Sequence, residues 1–148
     1  MVRTDVSTPT YKPDVTAPLI WKSREMISEA KRAVILVVED ELLIRMNAVE
    51  MIEEAFEVVE AGNAEEAIVI LEGRLDVAVV FTDIQMPGSM DGLKLAAVVR
   101  LRWPPIKIVA TSGQVKIGVG DLPQGSRFLQ KPYSPAEIMK TLRELIAA

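Results

Sequence analysis

Five residues of this 148-residue chain, Glu39, Asp40, Asp83, Thr111 and Lys131, are of types that could do chemistry together, and each stands just past a short apolar run. Three carboxylates brought to one place repel one another and drive their pKa values upward, a conflict that a divalent cation resolves. With oxygen donors only, that cation is expected to be Mg²⁺, which takes an octahedral oxygen shell, keeps several waters and uses one or two protein carboxylates. Asp40, Asp83 and a backbone carbonyl near Gln85 are the expected ligands, with Glu39 reaching the ion through water. Lys131 offers a point charge for one oxygen of a phosphoryl group and Thr111 a hydroxyl for another. Asp83 is then the expected nucleophile of a phosphoryl transfer that ends in an aspartyl phosphate, where catalysis is mainly positioning and electrostatics. Taken singly, each residue has an ordinary alternative, such as a solvated loop carboxylate ahead of a Pro-Gly turn.

The elements that must position these groups read as alternating strands and helices. Val34 to Val38, Val58 to Ala61, Asp76 to Phe81, Ile106 to Ala110 and Phe128 to Gln130 are short β-branched or aromatic blocks. Blocks that are apolar throughout suit strands buried on both faces of a parallel sheet. Between them lie helical stripes: Leu42, Met46, Val49, Ile52 and Phe56; then Ala64, Ala67, Ile68 and Leu71; then Leu93, Ala96, Ala97 and Leu101; and finally Ile138, Leu142, Leu145 and Ile146. Asn63 with Glu66, and Ser134 with Glu137, are spaced as capping boxes. Trp103-Pro104-Pro105 stops the third helix. The alternation predicts an α/β domain with a doubly wound sheet of about five parallel strands, whose carboxyl ends share one edge. Ligands bind at that edge of open α/β sheets.

Composition narrows the function. The chain has no Cys and no His, so a disulfide, a thiolate site, an imidazole base and a phosphohistidine are all excluded. Net charge is −4, and Lys and Arg are scattered without a basic block, which argues against nucleic acid as a direct partner. No apolar run approaches a membrane span, so a cytoplasmic protein without membrane contact is expected.

Two stretches stand apart. Residues 1–32 are rich in Thr, Pro, Asp and Lys and read as a flexible tail before a domain at 33–148. Ser23 could cap a short helix through Arg32, which leaves a docking or dimerising segment open as a second reading. From 113 to 126, Gly113, Gly118, Gly120, Gly125 and Pro123 oppose helix formation, so a fourth helix is expected to be weak or absent. That segment is either a mobile, partner-reading surface or a rigid irregular loop pinned by Ile117 and Val119.

The order of these groups resembles the receiver domain of two-component response regulators over about residues 33–147. Glu39-Asp40, Asp83 in Asp-x-x-Met-Pro, Asp91-Gly92, Thr111 and Lys131-Pro132 carry the resemblance. It implies the flavodoxin-like receiver fold, strand order 2-1-3-4-5, and Mg²⁺. It also implies a signalling protein rather than an enzyme, which takes a phosphoryl group on Asp83 from a histidine kinase or phosphotransfer protein and acts on a downstream protein target. Thr111 would be the switch hydroxyl, Phe128 the switch aromatic and Lys131 the phosphate-contacting lysine, with a cis Lys131–Pro132 bond. No output domain follows residue 148, so a single-domain regulator is expected. A pseudo-receiver that keeps the fold without phosphotransfer is the alternative; a phosphohydrolase is disfavoured because Gln85 stands where such an enzyme would carry an acid. Glu39 replaces the family's more usual aspartate, and the loop from Met86 to Gly92 is one residue longer than usual.

Overall fold

The computed structural model describes residues 32–113 and 120–147. The chain runs β1 (Val34–Val38), α1 (Leu42–Ile52), β2 (Glu57–Ala61), α2 (Ala64–Gly73), β3 (Val77–Asp83), α3 (Gly92–Arg102), β4 (Lys107–Ser112), β5 (Arg127–Gln130) and α4 (Pro135–Ala147). All four strand pairings are parallel, in the order β2-β1-β3-β4-β5. This is the expected five-stranded receiver topology.

Every residue of β1 is buried, and the reason is that the sheet is covered on both sides. Val34, Leu36 and Val38 join one core with Ala64, Ala67 and Leu71 of α2 and Leu95, Ala96 and Val99 of α3. Ile35 and Val37 point the other way, into a second core with Ala48 and Ile52 of α1 and Ile138, Leu142 and Leu145 of α4. Period-two alternation therefore feeds two apolar layers at once.

Both predicted capping boxes form. Asn63 accepts from the Glu66 N–H at 2.8 Å, while the Glu66 carboxylate turns back to the Gly62 N–H at 2.7 Å. Ser134 and Glu137 exchange side-chain-to-backbone bonds of 3.1 and 2.9 Å. Asp91 caps α3 in the same way, accepting from the Lys94 N–H at 2.9 Å.

Two helix faces differ from expectation. In α1, Leu42 and Met46 are 58% and 55% exposed; Ile52 of the expected stripe is buried, joined by Ala48, which the stripe did not include. Apolar residues surround this helix on all sides, so spacing alone could not select the buried face. In α3, Leu101 is 81% exposed and Ala97 is exposed, while Gly92, Leu95, Ala96 and Val99 are buried. The rotation of α3 follows from Gly92: a Cβ built there would lie 2.1 Å from the Asp83 carbonyl oxygen and 2.7 Å from the Ile84 Cα. The helix backbone thus rests directly on the end of β3, and the Gly92 N–H donates to the Ile84 carbonyl at 2.9 Å.

Between β4 and β5 the described residues 113 and 120–126 form turns without a helix. Residues 114–119, six of the fourteen residues of the expected mobile segment at 113–126, lie outside the described residues, as do residues 1–31 of the expected tail at 1–32 with its Ser23-capped helix. The Lys131–Pro132 peptide is cis.

Candidate functional site

The parallel sheet delivers the predicted residues to one edge because every strand ends there. Glu39 follows β1 directly and is 4% exposed; Asp83 is the last residue of β3 and is 6% exposed. Asp40, the next residue after Glu39, is exposed at the rim. Carboxylate oxygens of Glu39, Asp40 and Asp83 all lie within 4.8 Å of one another. Lys131, just beyond β5, reaches between the two buried acids, with Nζ 3.0 Å from Glu39 Oε1 and 3.3 Å from Asp83 Oδ1. This donor set fits a hard divalent cation: it is all oxygen, it is acidic, and one of its members faces solvent.

Burial pushes the Asp83 carboxyl above its usual pKa, against the pull of Lys131 and a hydrogen bond from the Gln85 N–H. Burial raises Glu39 as well, while Lys131 and the Glu41 N–H work to lower it. For Lys131, burial disfavours the charged form, but Glu39 and Asp83 together outweigh it and hold the ammonium above its ordinary range. With three carboxylates around one lysine, the site is formally anionic.

Thr111 is fully buried in β4 and stands in register with Asp83, its carbonyl accepting from the Ile84 N–H at 2.9 Å. Phe128 is half-buried in β5, in register with Ala110. Gln85 is exposed, two residues beyond Asp83, and its side-chain oxygen accepts from the Ser112 hydroxyl at 3.3 Å. All seven predicted site residues thus lie within two residues of the carboxyl ends of β1, β3, β4 and β5.

Three contributors went unread in the sequence. Tyr133 packs edge-on against Phe81, ring centres 5.8 Å apart, and burial raises its hydroxyl pKa. Arg45 on α1 donates to the Glu39 carbonyl at 2.9 Å and to the Glu60 carboxylate at 3.1 Å. Ser89, in the long loop after Asp83, donates to Glu65 at the start of α2 and so ties that loop down. Only Arg45 left a trace in the sequence, as the one cation of α1.

Beside Lys131 opens a groove of about 590 Å³ lined by Leu43, Ile44, Asn47, Lys131, Pro132 and Tyr133. Leu43, 79% exposed, stands next to the exposed Leu42 and Met46, so an apolar surface borders the acidic site.

Residues 35–143 match the response regulator receiver domain. The chain belongs to this family. Among relatives of this receiver domain, the hydrogenase transcriptional regulatory protein HoxA of Cupriavidus necator is 31% identical over 123 residues, covering 80% of this chain and 25% of that protein. The transcriptional regulatory protein PdtaR of Mycobacterium tuberculosis is 32% identical over 112 residues, 73% of this chain and 54% of that one. The chain thus spans a quarter to about half the length of these curated relatives. A solved response regulator receiver protein from Sinorhizobium medicae superposes with a TM-score of 0.74 at 25% identity, over 80% of this chain and 98% of its own. Chemotaxis protein CheY4 of Vibrio cholerae shares the fold, with a TM-score of 0.68 at 24% identity over 77% of this chain and 98% of its own. Among the described residues no helix of the receiver domain is long and apolar enough to cross a membrane.

The lysine of this receiver domain has a stability consequence. In chelator at neutral pH, Lys131→Met should lower stability by about 3 kcal/mol, the low end of what removing one partner of a buried ion pair costs. The low end applies because the Lys131 side chain is 19% exposed. The pH dependence has a definite sign. Glu39 and Asp83 have folded pKa values above their unfolded ones, so each disfavours folding as pH rises through that window and ceases to do so below it. Removing the ammonium enlarges both shifts, so the deficit should narrow on acidification through the carboxylate range. Denaturant unfolding of both proteins across pH checks this; a deficit independent of pH would contradict it.

Proposed function

We propose that this receiver domain is a phosphorylation switch that accepts a phosphoryl group on Asp83 from the phosphohistidine of a histidine kinase or phosphotransfer protein. The observation that carries the reading is the cluster itself: an acid triad within 4.8 Å, joined to Lys131 at 3.0 and 3.3 Å. An Asp83 oxygen forms the new P–O bond as the P–N bond to the donor imidazole breaks, and the imidazole leaves with that electron pair. Lys131 shifts its ammonium toward the incoming phosphoryl oxygens, and the Thr111 hydroxyl donates to another of them. Asp40, Asp83 and the Gln85 carbonyl would hold Mg²⁺, with Glu39 bonding a metal-bound water; the ion supplies neutralisation of the charge gathering on the phosphoryl oxygens.

The apolar surface of Leu42, Leu43 and Met46 beside the groove suits docking of the donor protein, since it brings a protein partner to the open side of the acids. Phosphorylated Asp83 then draws Thr111 inward and frees Phe128 to move, which a downstream protein target reads. In this reading the functional unit is residues 33–148, residues 1–32 are a tail, and the protein acts in the cytoplasm.

The test is incubation with a small acyl phosphate followed by intact mass measurement. One phosphoryl group should be gained with Mg²⁺ and none in chelator; no gain under either condition would favour the pseudo-receiver reading. Calorimetric titration adds the metal: Asp40→Ala should weaken Mg²⁺ binding more than Glu39→Ala does, and equal losses would contradict the ligand assignment.

A further inference from the structure

We infer that Arg45 is a positioning residue for the acid pair, setting the direction of the Asp40 carboxylate through the backbone rather than by touching it. This rests on the metal reading given above. Asp40 is exposed, so packing does not fix its side chain, and its aim depends on the peptide planes that lead to it. Those planes are held on either side of the Glu39 Cα. The Glu39 N–H donates to the Ala61 carbonyl at 3.1 Å, and the Glu39 carbonyl, whose peptide plane includes the Asp40 N–H, accepts from Arg45 Nη1 at 2.9 Å.

Arg45 is itself oriented. Its Nε donates to Glu60 Oε1 at 3.1 Å, and its side chain is 19% exposed against 48% for Glu60. The planar fork of the guanidinium serves both acceptors at once, which a lysine ammonium on its flexible stem does not reproduce. Gly62 leaves the fork its space: a Cβ there would lie 3.0 Å from Nη1. The fold does not require this bridge, because α1 is held by Ala48 and Ile52 in the core and β2 by its ladder to β1. The acid loop, by contrast, gains from it a fixed carbonyl plane.

The sign of the effect separates positioning from charge. Arg45 is a cation near a cation site, so by electrostatics alone its removal would tighten Mg²⁺ binding. Positioning predicts the opposite. Outer-shell partners of metal ligands typically contribute about 10–100-fold in affinity, and Arg45→Met should lose about tenfold. Arg45→Lys keeps the charge and should still bind Mg²⁺ more weakly than wild type.

Calorimetric Mg²⁺ titration of the full chain, with unfolding midpoints of the metal-free proteins in parallel, tests this. Weaker binding in both variants, with midpoints close to wild type, is the expected result. Equal or tighter binding by Arg45→Met, or wild-type affinity in Arg45→Lys, would overturn the inference while leaving the metal site standing. Absence of Mg²⁺ binding by wild type itself would overturn the metal reading and this inference with it.

Discussion

Asp83→Asn should take up no phosphoryl group from an acyl phosphate in Mg²⁺, while remaining folded and gaining stability in chelator. The carboxamide keeps the shape of the side chain but has no anionic oxygen to attack phosphorus. Its oxygen can still accept from the Lys131 ammonium, which lies 3.3 Å from Asp83 Oδ1 in the wild type. The gain in stability follows from burial: Asp83 is 6% exposed and its pKa is raised despite Lys131, so the charged form is disfavoured by folding at neutral pH. A neutral isostere removes that cost and the repulsion with Glu39 and Asp40. Paired measurement makes the result interpretable, since lost phosphorylation in a protein at least as stable as wild type cannot come from unfolding. Uptake of a phosphoryl group by the variant at the wild-type rate would refute Asp83 as the acceptor.

Gly92→Ala should destabilise the domain by about 3 kcal/mol or more, at or beyond the upper end of overpacking costs, because its neighbour is backbone and cannot rotate aside. The nearest atom to the added methyl is the Asp83 carbonyl oxygen at 2.1 Å, and the next is the Ile84 Cα at 2.7 Å. Either β3 or α3 must move. The Gly92 N–H bond to the Ile84 carbonyl, 2.9 Å, ties the two elements at the same place, so the shift reaches the acceptor. Mg²⁺ affinity should fall together with stability. Denaturant unfolding of the variant, followed by metal titration, checks both; an unchanged midpoint would mean that α3 yields without cost. By comparison, Gly73 meets nothing within 4 Å, and Gly73→Ala serves as the control.

These two positions show what the sequence disclosed. Asp83 was legible because it ends a short block rich in β-branched residues, whose length and composition mark a strand buried on both faces. Caps at Asn63 and Ser134 were legible for the same reason, each being a bond between residues three apart. The inward face of α3 was not, since it depends on the contact of Gly92 with a strand end brought near only by the fold. The face of α1 was hidden by apolar residues on every side, of which Leu42, Leu43 and Met46 remain exposed around the groove. Arg45 escaped because its partners, Glu39 and Glu60, are 6 and 15 residues away and on different elements.

The strand that leads to Lys131 lies at an edge of the sheet and has no buried residue. β1 has a neighbour on each side and five buried residues; β5 is an edge strand of four residues, none of them buried. Amide exchange proceeds through local openings whose free energies range from about zero to that of global unfolding, so β5 amides should exchange well before those of β1. Lys131 is moored by its N–H to the Ser112 carbonyl at 2.9 Å, the last rung of that ladder. When β5 frays, the ammonium leaves while the three acids stay on β1 and β3. The share of molecules holding a complete charge set is therefore governed by a local equilibrium, and a change such as Leu129→Ala can empty the lysine position in a population that still registers as fully folded.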